Sequence, residues 1–312
     1  MNSYSTPVLF IIFNRPSYTK RVFEAIKEVK PAYLYIAADG PRKDVKGEAS
    51  QCAEARKVVS EISWECEVKT LFRDENLGCR LAVSSGIDWF FSHVEEGIIL
   101  EDDCVPDFSF FGFCEQLLSF YRYDERIMMI CGTNYLPKKV TDTIETTYYF
   151  SNYFPIWGWA TWRRAWSLYD VEIKSWQKFR NSSQMNWLFS HEAMSKYYTS
   201  MFDMIKSGLN TWDIQWWFTC IFQNGLAIVP KTNLISNIGI SGTHSDTQGN
   251  FFINAPTIAV DLEKISHPEY VFAEKALNEL TYTVSHAHLV LRKNYLRKVF
   301  EKIKVVVKRI FK

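Results

Sequence analysis

The chain has 312 residues, 47% of them apolar and 16% aromatic, with a net charge of +1, which leaves room for one large α/β domain or two small ones. The charge is split: Arg292 to Lys312 carries nine Lys/Arg and one Glu, a net of +8, and the rest nets −7. An acidic body with a basic tail does not resemble a nucleic-acid binder, and seven cysteines without zinc-like spacing, several inside apolar helical patterns such as Cys114, read as reduced thiols in a cytosolic protein. Taken in order, Val8 to Phe13 is a first strand; it is short, follows no basic region and is not a signal peptide. Asn14-Arg15-Pro16 is a turn, and Ser17 to Val29 a helix with Val22, Phe23, Ile26 and Val29 on one face. Tyr33 to Ala37 is the second strand, ending in the turn signal Asp39-Gly40-Pro41. A polar helix covers Gly47 to Ile62, and Cys66 to Phe72 is the third strand. Asp74 to Cys79 loops into a helix from Arg80 to His93.

The next stretch, Gly97-Ile98-Ile99-Leu100-Glu101-Asp102-Asp103, is an apolar β-branched run that stops in three carboxylates. It reads as a buried central strand, and three adjacent acids at its end repel one another and lose solvation. A divalent cation, with a substrate phosphate completing its shell, resolves that conflict; the plainer alternative is a solvated acidic turn before a helix starting at Asp107 and Ser109. Strand-helix alternation of this kind implies an α/β fold with a doubly wound, mostly parallel sheet. The loops carrying Asn14-Arg15, Asp39-Gly40, Arg73 to Gly78 and Glu101 to Asp103 then open on one edge, where ligands of such sheets bind.

No G-x-G-x-x-G follows the first strand and no G-x-x-x-x-G-K-[ST] occurs, which weighs against NAD and P-loop ATP sites. The glycine-rich loop with Arg and Lys expected of a nucleotidyltransferase is also missing. What remains suits a nucleoside diphosphate: Asp39 for base or ribose, Arg15 or Arg73 for phosphate, Asn76-Leu77-Gly78 as a binding loop, and a metal bridging both phosphates. The same residues admit duller readings, with Asp39-Gly40 a plain turn, Arg15 the partner of a surface acid and Asn76 a helix cap.

The segments Ile11 to Pro16, Glu75-Asn76-Leu77-Gly78-Cys79, Gly97 to Asp103 and Phe154 to Trp162 resemble those of a GT-A-fold bacterial glycosyltransferase, distantly similar to the N-acetylglucosaminyltransferase I family. The resemblance runs from about Pro7 to Thr257. It implies a nucleotide-diphospho-sugar transferase fold, with Asp103 as a ligand of Mn2+ or Mg2+, Asp102 facing the ribose and Glu101 the donor sugar. It also implies that a C-terminal histidine, here His244 in the loop Ser241 to Ser245, reaches the metal or the diphosphate. A catalytic domain is expected over 1–260, its donor half at about 1–135 and its acceptor half at about 136–260, with a helical extension over 261–312.

In the second half, Trp157, Trp159, Trp162 and Trp166 form either a core cluster or a platform for sugar rings, and Gly158 lets the backbone approach the donor. Asp213 opens an apolar helix, where the helix dipole stabilises the ionised carboxylate that an inverting transfer needs as general base. The related transferases likewise place a catalytic Asp after a Trp, but as one of a pair of acids, whereas here Ile214 follows. From Leu296, apolar residues recur at three- and four-residue steps between Lys and Arg: a basic amphipathic helix that binds an anionic membrane surface or packs on protein. The expected function is metal-dependent, inverting transfer of a hexose from a nucleotide-diphosphate donor, UDP-linked by preference, to a glycan or lipid-linked glycan in cell-surface polysaccharide synthesis. The enzyme would be cytoplasmic and peripheral at the inner membrane face. A sugar-phosphate nucleotidyltransferase and a non-catalytic sugar-binding protein are the alternatives.

Overall fold

The computed structural model describes residues 4–182, 188, 189, 192–239 and 254–285. Ten strands lie among them: β1 (Val8–Ile12), β2 (Tyr33–Ala38), β3 (Glu67–Phe72), β4 (Glu96–Glu101), β5 (Cys104–Pro106), β6 (Ile127–Cys131), β7 (Tyr148–Ser151), β8 (Trp159–Trp162), β9 (Leu226–Pro230) and β10 (Ile235–Asn237). Eight form one mixed, mostly parallel sheet in the order β3-β2-β1-β4-β8-β6-β9-β7. The strands β1 to β4 are mutually parallel, and β6 and β9 pair in parallel with each other. β8 inserts antiparallel between β4 and β6, and β7 edges the sheet antiparallel to β9.

Both faces of the sheet are buried, which is why its central strands read as continuous apolar runs rather than alternating ones. Leu9, Tyr35, Ala37 and Ile99 point into one core with Val83, Ile87 and Phe90 of helix α3, named here with α1 (Pro16–Val29), α2 (Glu48–Val58), α3 (Gly78–His93) and α4 (Phe108–Phe120). Val8, Phe10, Ile98 and Leu100 point the other way, against Val22, Phe23 and Ile26 of α1 and Phe110, Phe113 and Leu117 of α4. The apolar face expected of α1 is the face it buries. α2 stops four residues earlier than its pattern suggested, where Ser60 donates from both N–H (3.1 Å) and hydroxyl (2.7 Å) to Lys57 O and closes a turn.

Trp159, Trp162 and Trp166 are core. Trp159 is buried against Trp212, rings stacked at 5.7 Å and 19°, and Trp162 is buried on the opposite face, its Nε1 donating to Leu118 O at 3.1 Å. Only Trp157 of this run reaches the cleft described below. Beyond residue 260 the described chain makes contacts with the preceding residues. Gln116 Nε2 donates to Leu262 O (3.0 Å), Glu274 N to Phe150 O (3.0 Å), and Leu277 and Leu280 of the helix Lys275–Ser285 enter the first core. Among the described residues no helix is long and apolar enough to cross a membrane.

Candidate functional site

The register of β1 on β4 sets Ile11 opposite Glu101, so the turn after β1 falls beside the acids that end β4. Arg15 is the result of that register. Its guanidinium grips Asp102 through Nη2 and, at 3.4 Å, Nε, and Nη2 also lies 3.0 Å from Asp103 Oδ2. Burial pulls the Arg15 pKa down, but Asp102 and then Asp103 more than reverse it, so the net shift is upward. Asp102 is only 3% exposed; burial raises its pKa, Arg15 opposes that, and Asp103 adds to it. Glu101 is pushed up as well, first by burial and then by Asp103, Asp102 and Asp213. Its carboxylate makes no hydrogen bond or ion pair with any described residue. Arg15 therefore stands against neighbouring acids, and for Glu101 and Asp102 burial and the adjacent carboxylates disfavour the charged form.

Two further loops join this edge. Asn14 Nδ2 donates to Glu48 Oε1 at 2.8 Å, and Glu48 also accepts from Arg42 N at 2.7 Å and from the Arg42 guanidinium. Glu48, at the start of α2, thus ties the loop after β1 to the loop after β2. The carboxylate of Asp39 accepts from Gly40 N (2.9 Å), Leu77 N (3.0 Å), Gly78 N (3.1 Å) and Asn76 Nδ2 (2.8 Å). These four donors fill the four lone-pair directions of a carboxylate. Asp39 therefore anchors the loop that opens α3 while lining the cleft. Asn76 serves the same anchor. Arg73 lines the cleft with Nη2 on Ser85 Oγ at 2.8 Å.

From the other side comes the helix Asp213–Phe222, whose first residue is Asp213. The carboxylate accepts the Thr211 hydroxyl and, at 2.9 Å, the Ile214 N–H. Stacking of Trp212 on Trp159 and a bond from Tyr169 Oη to Trp212 O (3.0 Å) hold that helix start in place.

These loops enclose a cleft of about 910 Å³, within the range of small-ligand sites. Asn14, Arg15, Asp39, Arg73, Asn76, Gly78, Glu101, Asp102, Asp103 and Asp213 all line it, so the expected convergence occurs. Gly158 does not line it. Its φ is +58°, and a Cβ there would sit 2.4 Å from Ile235 Cδ1, so the missing side chain makes room for β10. His244 lies outside the described residues. The sequence reading missed Glu48 and Arg42, which carried no signal beyond a polar helix start, and Asn237, which β10 brings to within 3.4 Å of Asp103 Oδ1.

Among the described residues no group of three His, Cys, Asp or Glu side chains is arranged to hold a metal ion unaided. A cation held by one or two carboxylates together with substrate phosphates and water needs no such cage. Glu101 beside Asp103, with burial and neighbouring acids raising the cost of its charge, fits that kind of cation.

No family model matches the chain, and no curated protein matches it. Among solved structures it is similar to HddC from Yersinia pseudotuberculosis (9% identity over 51% of this chain and 77% of that one, TM-score 0.30). It is also similar to a UDP-glucose pyrophosphorylase complexed with UDP-glucose (9% identity, 72% and 90%, TM-score 0.35). A third is mouse xyloside xylosyltransferase 1 (11% identity, 70% and 82%, TM-score 0.34). Values this low assign no activity to the chain.

Proposed function

We propose that the protein is a GT-A-type glycosyltransferase that moves a sugar from a nucleotide-diphosphate donor, UDP-linked by preference, to a glycan hydroxyl with inversion. One observation carries this reading: Arg15, the β4-terminal acids and Asp213 face a single cleft at the carboxyl edge of the parallel strands, where ligands of open α/β sheets bind. Arg15 and Arg73 offer positive charge to a diphosphate, and Trp157, edge-to-face with Tyr135 at 5.6 Å, offers an aromatic surface to a sugar ring. Asp213 takes the proton from the acceptor hydroxyl as that oxygen bonds to the anomeric carbon. The bond from that carbon to the diphosphate oxygen breaks, and its electron pair leaves on the diphosphate. A divalent cation on Asp103, flanked by Glu101, would neutralise the charge gathering on the departing phosphates.

The test is a thermal-shift and product screen against sugar nucleotides, with and without manganese. A metal-dependent shift with one donor, followed by sugar transfer and release of the nucleoside diphosphate, is the expected result. Release of pyrophosphate from a nucleoside triphosphate and a sugar phosphate would make the protein a nucleotidyltransferase instead.

The basic stretch from Leu296 lies outside the described residues. Its charge supports placement at an anionic membrane surface, each Lys or Arg there being worth about 1 kcal/mol, and hence a lipid-linked glycan as acceptor. Deleting Asn294 to Lys312 should abolish salt-sensitive flotation with anionic vesicles and spare donor binding. Equal flotation of the truncated chain would refute the membrane role.

A further inference from the structure

The acid offered to the cation is held from a distant part of the chain. β10 pairs antiparallel with β5, setting Asn237 opposite Cys104, one residue past Asp103. Ile238 N donates to Asp103 O at 2.8 Å, and the Asn237 amide Nδ2 lies 3.4 Å from Asp103 Oδ1. That amide is itself oriented, because its Oδ1 accepts Gly239 N at 2.8 Å, which leaves Nδ2 for the carboxylate. Asn237 is 4% exposed, and the other group near its Nδ2 is Cys104 Sγ at 3.9 Å, which itself lies 3.4 Å from Asp103 Oδ1. Gly239 closes on the other oxygen: a Cβ there would stand 2.4 Å from Asp103 Oδ2. The strand is seated by Ile235, which occupies the space that side chains at Gly132 and Gly158 would take, each ideal Cβ falling 2.4 Å from an Ile235 carbon. Of these contacts, the Asn237 amide and the Gly239 Cα bear on the carboxylate itself, and the others seat the backbone that carries them.

We propose that Asn237 and Gly239 are positioning residues for Asp103: Asn237 orients Oδ1, and the bare Cα of Gly239 leaves Oδ2, which Arg15 Nη2 approaches at 3.0 Å, room on the cleft side to take a cation in exchange. The inference rests on the metal-dependent reading above and adds the segment that tunes it. Outer partners of a metal ligand set its orientation, and their loss typically weakens binding by about 10- to 100-fold.

The experiment is calorimetry of manganese into the full chain at saturating UDP, paired with UDP binding in EDTA and with thermal melts. For Asn237→Ala and Gly239→Ala the expected result is a manganese affinity at least about tenfold weaker, with UDP binding in EDTA unchanged. A purely architectural role would weaken both together, and that outcome overturns the proposal, as does unchanged manganese affinity in both variants. Should Asn237→Ala fail to fold, Gly239→Ala decides alone, since it reaches the other oxygen and keeps the amide. If the wild-type chain binds no manganese with UDP, the metal-dependent reading itself falls, an outcome distinct from wild-type binding that the two variants leave intact.

Discussion

Arg15 Nη2 lies 3.0 Å from Asp103 Oδ2 while the same guanidinium grips Asp102, so the acid proposed above as metal ligand is already paired with a cation of the protein's own. Without a ligand, Arg15 limits the cost of burying these carboxylates. A diphosphate and a metal ion would exchange partners with this pair, the metal taking Asp103 and the phosphates taking Arg15.

Arg15→Met therefore strands Asp102, 3% exposed, without its counter-charge. The expected loss of stability is about 2–3 kcal/mol, below that of a wholly buried pair because a quarter of the Arg15 side chain meets solvent. Manganese should raise the melting temperature of this variant more than that of the wild type. An equal rise in both would mean that Arg15 and the cation do not share Asp103.

Asp39→Ala separates an anchor from a ligand contact. Removing the carboxylate leaves the N–H groups of Leu77 and Gly78 without their acceptor, which should cost about 2 kcal/mol in chemical denaturation. A variant as stable as the wild type that has lost nucleotide affinity would place Asp39 in direct contact with base or ribose.

The parallel half of the sheet was legible because its signals are local. Apolar runs such as Val8 to Ile12 and Gly97 to Leu100 end in polar turns, and their alternation with helices fixes which loops share an edge. Asp213 was legible for the same reason, as an acid at the start of an apolar helix. The rest depends on contacts made far along the chain. Asn14 meets Glu48 across 34 residues and Asn237 meets Asp103 across 134, and neither pairing leaves a mark on local composition. Gly158 shows the same limit. Its φ of +58° explains a glycine, but only the three-dimensional neighbour, Ile235, says what the missing side chain makes room for.

Glu48 should leave a signature in the acid limb of stability. Hydrogen bonds from the Arg42 side chain hold its carboxyl below the ordinary value of 4.5 against the opposing effect of burial. A depressed folded-state pKa gives stability that is complete above about pH 4.5 and drains away as pH falls through the folded value. Urea melts from pH 6 down to about pH 3 should thus show a flatter decline for Glu48→Gln than for the wild type. Parallel declines would deny Glu48 that role.

Asp213→Asn keeps the shape of the helix start and removes the carboxylate proposed as the base. Donor affinity should hold while transfer falls by about a hundredfold or more, the scale of a lost general base. Full activity in the Asn variant would place the base elsewhere in the cleft.

The most direct test is calorimetry of UDP binding to wild type and Asp103→Ala, each with manganese and with EDTA. Manganese should strengthen UDP binding by the wild type and leave the variant unaffected, with both proteins folded by circular dichroism. A variant whose UDP affinity still rises with manganese as the wild type's does would contradict a metal-dependent donor site at the end of β4.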